Sequence, residues 1–286
     1  MNKIKYQFLL LMLTLTGCFS FAQQIIWPDF VKASGAYIDT IVKNYSDENA
    51  FPFDLETITF TAKIPIRVHV IKSINGEAGV VPSNIYTSID TTNSFFKNIG
   101  IQFFIDTINY INDYNYSYIR YNTKRKELLT MHTKSNAINL FLADSIRMDT
   151  NRSYGFTYFP DAPDSNYIFL EKGYITGLYL TTMMGHFFGL LSTHDMTGGT
   201  ELASETNCST SGDYLCDTYA DPNLAGQVNS ICNYTGAAVD PNGDYYVPTA
   251  ANIMSNTLDE CKCKFTLLQY RRMYYYYLKY RQYLAY

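Results

Sequence analysis

Charged residues and histidines are scarce in this chain, and both shortages narrow its function. Asp, Glu, Lys and Arg make up 17% of the 286 residues, against about 25% in a typical soluble protein. The net charge of -4 argues against a nucleic-acid partner, because neutralising phosphates requires a basic face. There are four histidines, so a site with three histidine ligands would use nearly all of them.

Long apolar runs are also scarce. The N-terminal run, Phe8–Thr16, is shorter than the roughly 20 residues that span a bilayer. A basic start, an apolar middle and small residues after it are typical of a secretory signal. A lipobox would make Cys18 the lipidated first residue, whereas signal peptidase I would cut after Ala22. We predict a signal peptide over residues 1–22 and an exported protein, either a bacterial cell-envelope lipoprotein or a secreted one.

Aromatic residues, by contrast, are abundant. The chain has 27 Tyr and 18 Phe, and 47% of its residues are hydrophobic. Disordered chains are poor in aromatics and rich in charge, so this one is expected to fold around a sizeable core. Its length suits one large domain or two small ones.

Cysteine is concentrated at the C-terminal end. Beyond Cys18, five cysteines lie in the last third of the chain, which predicts disulfides that staple a loop-rich region in an oxidising compartment: Cys208, Cys216, Cys232, Cys261 and Cys263. One intervening residue between the last two is poor spacing for a structural zinc pair. Five is an odd number, so at least one of these cysteines stands outside any disulfide within the chain.

Hydrophobic periodicity predicts alternating strands and helices. The predicted strands are Ile64–Lys72, Ile101–Asp106, Ala137–Ala143 and Tyr167–Leu170, the last at a sheet edge, with a turn at Gly155–Pro160. One predicted helix begins at Val81–Ser83, with Ser83 as its cap, and ends at Gly100. The other predicted helices are a short one near Ala36–Asn44, Leu128–His132, Leu178–Leu191 and Phe265–Tyr286. Residues 192–251 are rich in Gly, Asn, Asp, Ser and Thr, and are expected to form loops.

One helical segment carries an incomplete catalytic pattern. A zincin helix reads H-E-x-x-H, in which two histidines bind zinc and the Glu activates a water; metzincins add a helix-breaking Gly and a third His. In this segment His186 fits the second histidine and Gly189 the breaking glycine. Thr182 stands at the first ligand, Met183 at the general base and Ser192 at the third ligand.

The flanking segments, taken in order, resemble pappalysin-type metzincins, which are secreted zinc endopeptidases. The resemblance covers about residues 60–280 and is carried by five segments: Ile64–Ile71 (I-P-x-x-x-H-V-I), Asn93 and Phe96 with Ile101–Phe103, Gly155–Pro160 (G-Y-x-x-F-P), Gly212–Thr218 (G-D-x-x-x-D-T), and Asn252–Ser255 with Met254 as the Met-turn methionine. It implies an α+β, metzincin-like fold. A twisted mixed β-sheet with two long helices would be followed by a loop-rich, disulfide-stapled C-terminal subdomain with a final helix.

The same resemblance implies a catalytically silent protein. Thr182 and Ser192 are weak zinc ligands, Met183 cannot exchange a proton, and Asn256 replaces the tyrosine that follows the Met-turn. No catalytic residue is then intact and no cofactor is expected. The cleft would bind an extended peptide or protein, with the edge strand offering backbone pairing.

Two alternatives stay open. An atypical zinc endopeptidase would use His186 and His194 with Asp195. A structural cell-envelope component would have a closed groove. Four apolar side chains of the helix are suited to fill the zinc cavity, which would make peptide hydrolysis still less favourable: Met183, Met184, Phe187 and Phe188. The chain would divide into residues 1–22, a leader or pro-segment over 23–60, and a metzincin-like domain over 61–286.

The resemblance also suggests roles for residues outside the helix. It implies disulfides Cys208–Cys232 and Cys216–Cys261, which leave Cys263 outside both. Loop carboxylates of relatives can bind calcium, and Asp213, Asp217 and Asp221 would be the ligands here, although a solvated loop with local turn bonds is the favoured explanation. His69 would be a core residue and His132 a surface residue.

Overall fold

The computed structural model describes residues 35–58, 61–120, 123–148, 151–162 and 165–286. The predicted signal peptide and its lipidation candidate, Cys18, lie outside these ranges, and so does the first part of the leader. Within the described ranges, no helix combines the length and the apolar character needed to cross a membrane.

In the described ranges, five α-helices and eight strands make up the α+β fold. The helices are α1 (Gly35–Ala50), α2 (Pro82–Phe96), α3 (Thr123–His132), α4 (Tyr179–Phe187) and α5 (Leu267–Tyr276). The strands are β1 (Ala62–Ile71), β2 (Ile101–Ile111), β3 (Tyr118–Arg120), β4 (Ile138–Ala143), β5 (Ser145–Met148), β6 (Asn151–Ser153), β7 (Gly155–Thr157) and β8 (Tyr167–Glu171).

The main sheet is mixed and has the order β2-β1-β4-β8-β7. Neighbouring strands are parallel except β7, which runs antiparallel to β8. All six residues of β4 are buried, as expected for a central strand covered on both faces. The predicted edge position of Tyr167–Leu170 is wrong, because β7 pairs with β8 and takes the edge itself. The predicted turn at Gly155–Pro160 is correspondingly a strand over its first three residues.

Helix α2 begins and ends close to the predicted positions, but its N-terminal cap differs. Pro82 occupies the first turn, where its missing N–H costs no hydrogen bond, and Val81 is the N-cap residue with no side-chain cap bond. Ser83 therefore does not cap the helix. Gly100 follows with a left-handed φ of 64°, which a glycine adopts without strain.

Helix α4 is shorter than predicted and ends at Phe187. Gly189 has a φ of +100°. The Leu190 N–H donates to Gly185 O and the Gly189 N–H to His186 O, both at 2.9 Å, which is the Schellman arrangement. This arrangement stops the helix although the apolar pattern continues to Leu191.

The region between α4 and α5 is built from turns and isolated bridges, as predicted, and it contains both disulfides. The four bonded cysteines are those predicted, but the pairing is wrong: the bonds are Cys208–Cys216 and Cys232–Cys261. Positive φ angles at Gly212 and Tyr214 fold the chain back, so that the Cα atoms of Cys208 and Cys216 are 5.1 Å apart. Cys263 is exposed and belongs to neither bond.

Candidate functional site

The site predicted from the sequence lies on α4 and on the segment that follows the loop region. Met254 is buried beneath the helix, where a Cβ on Gly185 would lie 2.6 Å from its Sδ. A larger residue at position 185 would therefore force the Met254 side chain to move. The Asn252 side chain accepts the Met254 N–H at 2.9 Å and exchanges two hydrogen bonds with Gln269, and these bonds fix the turn that carries the methionine.

Thr182 and Met183, at the first-ligand and base positions, are built into the core. The Thr182 hydroxyl lies 3.2 Å from Leu178 O and 3.1 Å from Ile253 O, so its proton is directed at backbone carbonyls. Met183 is fully buried, and a Cβ on Gly155 would lie 3.3 Å from its Sδ. Both side chains are shielded from solvent.

His186 is also fully buried. Its Nδ1 is 2.8 Å from Leu190 O. Since a carbonyl only accepts, Nδ1 carries the proton of this bond. The ring meets Phe159 edge-on at 5.9 Å. The backbone that ends α4 therefore also fixes the orientation of the retained histidine.

An aromatic cover lies over this histidine and consists of Tyr37, Phe159 and Tyr276. Tyr37, from α1, donates to Gly189 O at 2.8 Å, stacks on Phe159 at 4.0 Å and meets Tyr276 edge-on at 6.1 Å. The sequence indicated a helix near Tyr37 but nothing about its partner, because the contact joins residues 152 positions apart.

Helix α1 is held to the domain by a buried ion pair. Arg272 Nε lies 2.8 Å from Glu48 Oε1, with side-chain exposures of 0% and 3%. The same guanidinium donates to Asp213 O at 2.6 Å and to Tyr214 O at 2.9 Å. One arginine of α5 thus binds α1 and the loop region together, and sequence analysis did not identify it.

The remaining candidate zinc ligands do not form a cluster with His186. Ser192 is buried, whereas His194 is half-buried and its Nδ1 has no hydrogen-bond partner among the described residues. Asp195 Oδ1 accepts the Thr197 N–H at 2.8 Å. In the described part of the chain, no group of three or more His, Cys, Asp or Glu residues is placed to hold a metal. With a carbonyl-bonded Thr182 at the first-ligand position, the donor set does not fit zinc.

The loop carboxylates are used separately by protein donors. Asp217 accepts the Thr266 hydroxyl and the Leu268 N–H, each at 2.8 Å, and so caps the start of α5. Asp221 Oδ2 accepts the hydroxyls of Thr193 and Ser255 at 2.6 and 2.8 Å. Asn256 likewise bonds within the loops, donating to Asn223 Oδ1 at 3.0 Å. Each of these contacts joins residues at least 28 positions apart, so these side chains tie separate segments together rather than forming local turns.

Asp213, the third of the predicted calcium ligands, forms an electrostatically costly pair with the carboxyl of Glu201. Burial, together with the charges of Asp213 and Glu205, raises the pKa of Glu201 to about 8. Burial also raises the pKa of Asp213 to about 7, against the lowering effect of Arg272. Both Glu201 oxygens are buried without a hydrogen-bond partner among the described residues. Sequence reasoning missed Glu201, which has no motif around it.

The two other histidines have structural environments. His69 is buried as predicted, stacks on Phe141 at 4.5 Å and contacts Asn139 Oδ1 through Nε2 at 3.3 Å. Its burial lowers its pKa to about 4. His132 is half-buried rather than a surface residue, with its ring 6.0 Å from that of His69.

Comparisons with known proteins give distant structural similarities alone. No family model matches the chain, and no curated protein matches it. Among solved structures, it is similar to metalloproteinase-II from Bacteroides fragilis, with 12% identity and a TM-score of 0.32 over 57% of this chain and 50% of that one. It is also similar to a chain in the structure of a chaperone-substrate complex, with 9% identity and a TM-score of 0.38 over 78% of this chain and 35% of that one. The chain thus spans half or less of the length of these structures.

Proposed function

We propose that this protein is an exported, metzincin-like pseudo-protease that is catalytically silent and acts by binding. The observation that carries the proposal is the burial of Thr182, Met183 and His186, which are at most 1% exposed. Hydrolysis of a peptide needs a metal-bound or activated water that reaches the substrate, and these positions offer one histidine, no general base and no access to solvent.

The aromatic cover extends this argument to the cleft. A peptide reaching His186 would have to displace Phe159 and Tyr37, and with Tyr37 the hydrogen bond to Gly189 O. The role proposed for the cleft, binding an extended peptide or protein, therefore requires α1 to move. While α1 covers the cleft, a partner would have to bind to another surface of the protein.

Zinc stoichiometry and peptidase activity test the proposal on the chain from residue 23. We expect near-zero zinc by elemental analysis after incubation with excess zinc, and no cleavage of a mixed peptide library. His132→Ala is the matched control for His186→Ala, because His132 belongs to no ligand pattern. About one zinc per chain, lost in His186→Ala and kept in His132→Ala, would instead establish the atypical endopeptidase that uses His186 and His194.

A further inference from the structure

The three-stranded sheet, with the order β3-β5-β6, carries three arginines side by side. Arg120 is opposite Arg147 in the β3–β5 pair, and Arg147 is opposite Arg152 in the β5–β6 pair. Residues directly opposite each other project from the same face, about 5 Å apart at Cβ. We call this surface the arginine face and define it by Tyr118, Arg120, Ser145, Arg147 and Arg152.

Such an arrangement costs stability, since like charges directly opposite each other in a sheet repel. One of the three charges is compensated: Arg152 binds Glu171 with both Nε and Nη2, at 3.1 and 2.8 Å. Neither Arg120 nor Arg147 forms an ion pair with a carboxylate in the described part of the chain. The face therefore holds three cations against one internal anion.

The two uncompensated guanidinium groups are held in position by Tyr118. Their Cζ atoms lie 5.0 and 5.9 Å from the centre of its ring, for Arg120 and Arg147 respectively. Burial raises the pKa of the Tyr118 phenol, but hydrogen bonding from Arg120, the charge of Arg147 and a hydrogen bond from Ser145 outweigh it, so that the pKa is lowered. The two cation–π contacts thus orient the guanidinium groups before any ligand arrives.

Arg147, at the centre, also has an unused donor. Its Nε is buried and has no hydrogen-bond partner among the described residues. A buried donor without a partner costs free energy and calls for an explanation such as a bound ion. The neighbouring elements add little negative charge: Asp144 is paired with Lys172, and α3 exposes Lys124 and Lys126 against Glu127.

We propose that the arginine face is a binding site for a tetrahedral oxyanion, the phosphate or sulfate monoester of a larger molecule. Arginine is the side chain suited to bidentate recognition of such groups. The oxyanion would accept hydrogen bonds from Arg120 and Arg147 and would offset the repulsion along the row. The site is separate from α4 and does not depend on whether the metzincin-like cleft is silent.

An NMR titration of the arginine Nε–Hε resonances in the full chain tests this site, with inorganic phosphate and inorganic sulfate as probes and sodium chloride at matched ionic strength as reference. We expect the Arg147 resonance to shift saturably with phosphate or sulfate and not with chloride. The Arg67 resonance is the internal control, because Arg67 pairs with Asp106 at 2.9 Å elsewhere on the surface, and it should not move. A response that does not saturate would overturn the proposal.

Variants make the test specific. Arg120→Gln, which changes an exposed side chain, should weaken phosphate binding at least fivefold while raising the thermal midpoint of the ligand-free chain. Arg67→Gln should leave the affinity within twofold of the wild type. Equal affinities in the two variants would sink the idea.

Discussion

At the scale of single residues, Glu201 links a buried position to pH-dependent stability. Its folded pKa of about 8 exceeds its ordinary value of 4.5, so between these values the folded state binds more protons than the unfolded state. By linkage, the free energy of unfolding falls as pH rises through this window. Asp213, raised to about 7 from 3.8, contributes with the same sign.

Glu201→Gln should therefore flatten the dependence of stability on pH. We expect the variant to unfold at a higher urea concentration than the wild type at pH 8 and to differ little from it near pH 5. A residual slope should remain below pH 7 because Asp213 still titrates. Glu127→Gln, at an exposed position, is the control and should follow the wild type. Parallel wild-type and Glu201→Gln curves would show that Glu201 does not titrate in this window.

Tyr37→Phe isolates the hydrogen bond that closes the cover. The ring can keep its stacking on Phe159, while the bond to Gly189 O at 2.8 Å is lost and a buried carbonyl loses its donor. We expect a loss of about 1 to 3 kcal/mol in the free energy of unfolding. Tyr45→Phe on the same helix, whose residue is half-buried, should change it by less than about 0.5 kcal/mol. Equal effects would mean that the Tyr37 hydroxyl bond is not specifically stabilising.

What the sequence could reveal about single residues depended on whether the answer was local. That Thr182 and Met183 cannot replace a histidine and a glutamate follows from their chemistry alone. That the site is covered could not be predicted from these residues, because Tyr37 and Phe159 reach it from distant segments of the chain. The Glu48–Arg272 pair, 224 residues apart, had no local signal at all.

At the scale of elements, local sequence signals predicted most helices and strands. They failed where backbone hydrogen bonds between segments determined where an element ends or which strand it pairs with. The apolar pattern runs past Gly189, but the bonds of Gly189 and Leu190 end α4 two residues before it. Gly155 and Pro160 look like turn residues, yet Gly155–Thr157 finds a partner in β8. Hydrophobic periodicity does not predict which strands pair with each other.

The disulfide pairing is likewise set by the tertiary fold rather than by local sequence. The two bonds are expected to contribute unequally to the free energy of unfolding. The Cys232–Cys261 bond joins residues 29 apart and Cys208–Cys216 joins residues 8 apart. By loop-closure entropy, replacing the first pair with serines should cost about 3.6 kcal/mol and the second about 2.5 kcal/mol. Urea unfolding of the two double variants measures the difference. A larger loss for the shorter loop would contradict the entropic argument, and non-reducing peptide mapping checks the pairing itself.

The ion pair of α1 gives a sharper prediction for one helix. Glu48→Gln keeps the shape of the side chain and leaves the Arg272 charge buried without its partner, which should cost about 3 to 5 kcal/mol in the free energy of unfolding. Asp47→Asn, the exposed neighbour on the same helix, is the matched control and should stay within about 0.5 kcal/mol of the wild type. Similar losses in both variants would show that α1 is not held by this pair.

At the scale of the whole molecule, α1 decides how the predicted leader relates to the domain. The sequence of residues 23–60 is irregular apart from one helix-like stretch, which predicts a leader or pro-segment, and the removal of this segment stays a prediction. The contacts of α1 favour retention. Tyr37 covers the end of α4, Glu48 pairs with Arg272, and Phe51 packs on Tyr274 and Tyr275 at 6.0 and 5.7 Å.

A chain that starts at residue 61 should therefore lose cooperative folding. Without α1 this chain would lack Tyr37, expose Phe159 and Tyr276 to water and leave the Arg272 charge unpaired in the core, whereas a chain starting at residue 35 keeps these contacts. We expect the shorter chain to bind a dye specific for exposed apolar surface and to lack a sharp thermal transition. Adding a synthetic peptide of residues 35–58 should restore the transition in proportion to its concentration, because a ligand of the folded state stabilises it by mass action. A sharp transition in the shorter chain without the peptide would instead identify residues 35–58 as a dispensable pro-segment, and the former cleft would then be open in the processed protein.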